Sequence, residues 1–242
     1  MTRSMFPSTG VSPRVLLVDL DDTLLDYSGG ADLCWEAASA YAPAALDRAA
    51  VVAALADARS WFWSDPERHR RERVDMIGAW TKIAADALAR CGAWDPACAA
   101  DIAHEYARRR RARWRLFPDA RPWLEAARQR GLPLALITNG DARQQRDKIE
   151  SHDLVRYFDT IVIESELGAG KPDEIVYRKA LAALGAAPEE AAMVGDHLEF
   201  DVAGPQRLGV AGIWLDREGA GLPATAAVRP QRIIRSLTEL RP

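Results

Sequence analysis

The 242-residue sequence predicts an α/β protein: a parallel sheet covered by helices, interrupted once by an inserted helical domain. Three observations lead there. Short apolar runs alternate with helical stretches along most of the chain, polar clusters close several of those runs, and one long stretch near the N-terminus breaks the alternation.

The first strand starts from Arg14, where RVLLVDLDDT carries five apolar residues in its first seven and then turns to carboxylates, as a strand buried on both faces and ending at a site would. A helical stretch, ARPWLEAARQR, is closed by Gly131, a residue suited to the position just past a helix end, and the second strand, LPLALITNG, follows from Leu132. A helix from Ala142, a strand around TIVIES from Thr160, a helix from Asp173, the strand AAMVGD from Ala191, a helix from Glu199 and the strand VAGIWL from Val210 complete the alternation. Ligands of such sheets sit beyond the carboxyl ends of the strands, where VDLDD, ITNG and VGD fall. Residues 26 to 116 carry helical periodicity without a convincing strand, and Trp35, Trp61, Trp63, Trp80 and Trp94 give them material for a core of their own. The expected division is a core of residues 1–25 and 117–242 with a helical insertion at 26–116.

Composition narrows the function classes. Apolar residues make up 48% of the chain and charged residues 28%, an ordinary globular balance. A net charge of -3 supplies no global positive field for nucleic acid or an anionic membrane. The start, MTRSMFPSTGVSPR, is polar with no apolar stretch of a signal peptide, and no later run is long enough to span a bilayer, so a cytoplasmic location is the default expectation. Cys34, Cys91 and Cys98 form no C-x-x-C pair and read as buried thiols; the spacing of Cys91 and Cys98 fits no common zinc pattern.

Four segments carry candidate chemistry. Asp19 and Asp21 alternate along an extended terminus, so they reach one site only if the chain turns directly after the strand. Two carboxylates held close can then divide roles, one a nucleophile toward phosphorus and the other an acid and then a base. The plainer reading makes Asp19, Asp21 and Asp22 turn formers. Thr138, Asn139 and Gly140 offer a hydroxyl and approachable backbone N–H groups for a phosphoryl oxygen, or simply a turn. Lys171, in GAGKPDEIVY, is either a fixed cation for a transferring phosphoryl group or a solvated surface charge, and Pro172 suits the first turn of a helix. In VGDHLEFD, Asp196 and Asp201 supply hard oxygen ligands suited to Mg²⁺; the alternatives are an N-cap and a solvated helix carboxylate.

In this order the segments resemble the haloacid dehalogenase-like (HAD) hydrolase superfamily. The matching residues are Asp19-Leu20-Asp21-Asp22-Thr23, Thr138, Lys171-Pro172, and Gly195-Asp196 with Asp201. The resemblance implies a doubly wound, Rossmann-like core and an α-helical cap inserted after the first motif. It implies that Asp19 is nucleophile and metal ligand, and that Asp21 is acid/base and binds metal through its backbone carbonyl. Asp196 would be a further ligand and Asp201 would act in the outer shell. Thr138, Asn139 and Lys171 would bind the phosphoryl oxygens, and Thr23 would brace the loop. The cofactor implied is Mg²⁺, and the partner is a small phosphorylated molecule, with no nucleic acid or membrane. Asp21 points to phosphate rather than carbon–halogen substrates, because halide departure needs no proton.

Other features have plainer readings. Arg108 to Arg115 hold six arginines in eight residues, read as a solvated helix end rather than as a patch that steers an anionic substrate or contacts nucleic acid. Trp61-Phe62-Trp63 are read as packing within the insertion rather than as the lining of a substrate pocket, and His197 as either a substrate contact or a local hydrogen-bonding residue. Two rivals share the aspartates. A phospho-accepting receiver domain lacks the insertion, whereas a phosphomutase passes the phosphoryl group to sugar instead of water.

Overall fold

The computed structural model describes residues 13–240, so the polar start up to residue 12 lies outside the described residues. Among the described residues six strands make one sheet: β1 (Val15–Val18), β2 (Leu134–Thr138), β3 (Thr160–Ile163), β4 (Ala191–Gly195), β5 (Ala211–Leu215) and β6 (Arg232–Ile234). Every pairing is parallel and the order is β3-β2-β1-β4-β5-β6. β1, β2 and β4 are buried at every position, which is why they read as unbroken apolar runs. The chain steps outward from β1 in one direction through β2 and β3, then returns beside β1 with β4 and continues the other way. The carboxyl ends of β1 and β4 therefore adjoin at the point where strand order reverses, the usual ligand crevice of doubly wound sheets.

The chain divides into two compact units, one of which is Ser28–Trp114. It contains α1 (Ala31–Ala38), α2 (Arg48–Ser64), α3 (Pro66–Glu72), α4 (Met76–Arg90) and α5 (Pro96–Arg113). Asp47, Asp65, Asp75 and Asp95 cap α2 to α5, each accepting from a backbone N–H of the first turn. Trp35 stacks on Tyr106 and Trp80 meets the same ring edge-on, at centroid distances of 3.9 and 4.9 Å, within a cluster that includes Leu55, Ile83, Leu88 and Ile102. Phe62 is buried in that cluster, while Trp61 is exposed beneath the Arg68 guanidinium. The arginine run is less solvated than its composition suggests: Arg110 is buried and donates to the Gly29 carbonyl, and Arg108 and Arg109 pair with Glu105.

The sheet unit carries α6 (Ala120–Gln129), α7 (Ala142–Ser151), α8 (Glu164–Leu167), α9 (Glu174–Leu184) and α10 (Gly204–Gln206). Four details depart from the sequence expectations. β3 stops at Ile163, so Glu164 and Ser165 of TIVIES open α8 instead of extending the strand. Pro172 precedes α9 rather than lying in its first turn, because a tight turn closed by Asp173 N–H to the Gly170 carbonyl comes first. The helix expected from Glu199 is a π-helical segment, Leu198–Ala203, followed by the three-residue α10. Here the Phe200 carbonyl accepts from the Tyr177 hydroxyl, so the Gly204 N–H reaches back five residues to Glu199, and Pro205 has no N–H to restore an α-helical ladder. β6 was not anticipated.

Candidate active site

A turn directly after β1 brings the first motif together. Asp22 takes a left-handed conformation, with φ 59°, its N–H donates to the Leu25 carbonyl, and its carboxylate accepts from Tyr27 N–H. Such a backbone is tolerated better by Asp than by most residues. Asp19 N–H continues the sheet by donating to the Val194 carbonyl of β4. The residue after β1 is thereby fixed beside the end of β4, which Asp196 follows.

Asp19, Asp196 and Asp201 each place one carboxylate oxygen within 4.8 Å of the others. Lys171 lies among them, its Nζ 2.6 Å from Asp19 Oδ1 and 2.7 Å from Asp201 Oδ1. The other Asp201 oxygen accepts from His197 N–H, so both of its oxygens are engaged by protein donors. Asp201 is buried, not solvated, and His197 rather than Asp196 caps the π-helical segment. Gly195 is required by this packing: a Cβ there would lie 2.3 Å from the Asp201 carboxylate.

One lysine faces three carboxylates, and the charges respond. Burial, followed by repulsion from Asp201, outweighs the attraction of Lys171 and pushes Asp19 up to about 7. Burial, then repulsion from Asp19 and Asp201, pushes Asp196 up to about 8. Burial opposes the Lys171 charge, but Asp19 and Asp201 outweigh it and its pKa is raised. Hard oxygen donors whose ionised forms repel one another, with one lysine beside them, fit a small divalent cation such as Mg²⁺.

Thr138 ends β2 with its hydroxyl buried, accepting from Gln145 Nε2. Asn139 does something the sequence did not reveal: its side chain holds the backbone of Lys171 at both groups, accepting from the N–H at 2.7 Å and donating to the carbonyl at 2.9 Å. Asp21 accepts from Lys148 Nζ at 2.8 and 2.9 Å and from Gln145 Nε2 at 2.9 Å. Gln145 and Lys148 were missed because the polar sequence of α7 reads like a solvated helix, and nothing in it marks these two positions as buried. Glu164 was missed as well; it accepts from Gly140 N–H and sits where a Cβ on Gly170 would be. Thr23 is buried, and among the described residues its hydroxyl has no hydrogen-bond partner; the Thr23 carbonyl accepts from Arg217 at 2.6 Å. His197 accepts from Phe200 N–H and stacks on the Phe200 ring, a local role. Among the described residues, no cluster that could hold a metal includes a cysteine.

Residues 13–209 match the family model of haloacid dehalogenase-like hydrolases. The chain belongs to the haloacid dehalogenase-like hydrolase family. Among relatives of this HAD hydrolase, a phosphoserine phosphatase from Thermus thermophilus is 35% identical over 223 residues, 84% of this chain and 89% of that protein. An N-acylneuraminate-9-phosphatase from Rattus norvegicus is 38% identical over 108 residues, 44% of this chain and 43% of the relative. Among solved structures, the HAD-hydrolase YfnB from Bacillus subtilis, bound to magnesium, has a TM-score of 0.74 at 21% identity, covering 94% of this chain and 96% of its own; at that identity the likeness shows the fold alone. A 2-haloacid dehalogenase from Pseudomonas syringae has a TM-score of 0.64 at 26% identity, covering 93% and 95%. The chain is therefore an enzyme of the hydrolase class with a Rossmann-like HAD core.

Proposed function

We propose that this HAD hydrolase is a Mg²⁺-dependent phosphatase acting on monoesters of small molecules through an aspartyl-phosphate. The observation that carries the reading is the gathering of Asp19, Asp196 and Asp201 around one buried lysine, with a further carboxylate, Asp21, on its own donors nearby. Asp19 attacks phosphorus; a carboxylate O–P bond forms, the ester P–O bond breaks, and Asp21 gives its proton to the departing oxygen. Water then attacks phosphorus, Asp21 takes its proton, and the Asp19–phosphorus bond breaks to release phosphate. Lys171, the Thr138 hydroxyl and the Asn139 backbone N–H hold the phosphoryl oxygens. Asp19 and Asp196, with the Asp21 carbonyl, would hold Mg²⁺, which when bound neutralises phosphoryl charge. Asp201 and Asn139 keep Lys171 in place. The unit Ser28–Trp114 is read as the family's cap.

Haloacid dehalogenases share the fold, and the Thermus relative is named for phosphoserine. Asp21 favours phosphate over halide, since only the ester oxygen needs a proton. A phosphomutase would use the same aspartates but release no free phosphate. Asp19→Asn is expected to abolish phosphate release from p-nitrophenyl phosphate in Mg²⁺ while the protein stays folded; retained turnover would overturn the reading. A panel of phosphorylated sugars, nucleotides and short acids, phosphoserine included, identifies the substrate class.

A further inference from the structure

Asp21 is gripped by two side chains that the chemistry above does not use. Gln145 and Lys148 lie one helical turn apart on α7, and both are about 1% exposed. Lys148 Nζ donates to both oxygens of Asp21 and, at 2.7 Å, to Gln145 Oε1, and it lies 3.8 Å from the centroid of the Tyr27 ring. Gln145 turns its oxygen to the ammonium and its nitrogen to three acceptors: Asp21 Oδ2 at 2.9 Å, the Thr138 hydroxyl, and the Asn139 carbonyl at 3.0 Å. One amide thus spans the ends of β1 and β2. Burying an ammonium is costly, and an apolar side chain of similar length would fill the space at no such cost. The arrangement fixes the plane of the Asp21 carboxylate and its register against Thr138.

We propose that Gln145 and Lys148 are positioning residues that set the direction in which Asp21 offers its carboxyl group to the leaving oxygen. This rests on the acid/base role of Asp21 proposed above. A general acid works only within hydrogen-bond reach of the atom it protonates, so a carboxyl left to rotate loses rate without losing substrate binding.

The test compares p-nitrophenyl phosphate with phenyl phosphate in Mg²⁺. The two esters share a ring, but only the phenyl leaving group depends strongly on receiving a proton, and kcat/KM reports the steps through its departure. Because a general acid contributes roughly 10²–10⁴-fold, Lys148→Met and Gln145→Met are expected to raise the ratio of kcat/KM for p-nitrophenyl over phenyl phosphate by about tenfold or more. Lys148→Arg should move it back toward the wild-type value. A residue that only fills the core would lower both substrates equally, and an unchanged ratio in a folded variant overturns the proposal. Should Lys148→Met fail to fold, Gln145→Met, which keeps the charge pair, decides alone. Asp21→Asn separates the two failures. If its ratio rises and those of the variants do not, only the positioning role falls; if its ratio is also unchanged, the acid role of Asp21 falls and the positioning role with it.

Discussion

At the scale of single residues, the site depends on atoms that are missing as much as on those present. Gly195 has no side chain because the Asp201 carboxylate occupies that space, and Asp201 in turn holds Lys171. Gly195→Ala would put a Cβ 2.3 Å from that carboxylate. Overpacking of this kind costs about 1–3 kcal/mol. Displacing Asp201 also removes one of the two carboxylates that hold Lys171 Nζ, so kcat/KM toward p-nitrophenyl phosphate should fall by about tenfold or more, alongside a lower thermal midpoint. A variant matching wild type in both would show that the Asp201–Lys171 contact is dispensable. Asp19, Asp21, Thr138 and Asp196 were legible in the sequence because they follow apolar runs, where polar clusters are conspicuous. Gln145 and Lys148 were not, because their burial is decided by what α7 packs against.

Elements are joined behind the site by Asp119, which stands at the start of α6 but caps nothing with its side chain. Its carboxylate accepts from both terminal nitrogens of Arg217, from the Ser236 hydroxyl and from Leu237 N–H. Arg217 also holds the Thr23 carbonyl, so one carboxylate ties the first-motif loop to the segment after β6. Burial alone would raise the Asp119 pKa, but hydrogen bonds from Arg217, Ser236 and Leu237 and the Arg217 charge bring it below its ordinary value. A group whose pKa is depressed on folding contributes stability above its unfolded value, about 4, and loses it as pH falls through the folded value. Asp119→Asn is expected to destabilise the protein by roughly 1.5–3 kcal/mol at pH 7, the range for hydrogen bonds to charged groups. Urea midpoints measured at pH 7 and below about pH 4 should show the gap between variant and wild type narrowing on acidification. A gap that stays constant would mean that the Asp119 charge contributes nothing. The strands were readable from apolar runs, whereas the π-helical turn was not, since it depends on a hydroxyl from α9 taking the Phe200 carbonyl.

Across the whole molecule, the sheet order converts separation in sequence into contact. Asp19 and Asp196 meet because β4 returns beside β1, and the crowded charge that results is what a divalent cation would relieve. Chelation is expected to abolish phosphatase activity, and added Mg²⁺ to restore it. Mg²⁺ should also raise the thermal midpoint in a saturable way in wild type, and much less in Asp196→Asn, as mass action requires of a ligand that binds only the folded site. An equal rise in both would place the ion elsewhere. β6 escaped the sequence because three residues with one buried position carry too little periodicity to stand out.

The sequence by itself determined the alternation of strands and helices up to β5, the helical stretch between the first two strands, and the carboxylates and hydroxyl at or just past the ends of β1, β2 and β4, with Lys171 in the loop beyond β3. Those properties are local, written in apolar runs and the residues that stop them. Tertiary structure alone decided that Asn139 would clamp Lys171, that Gln145 and Lys148 would hold Asp21, and that Arg217 would reach the Thr23 carbonyl. A polar side chain looks the same in sequence whether it meets water or a buried partner. Only the packing of distant segments chooses between them.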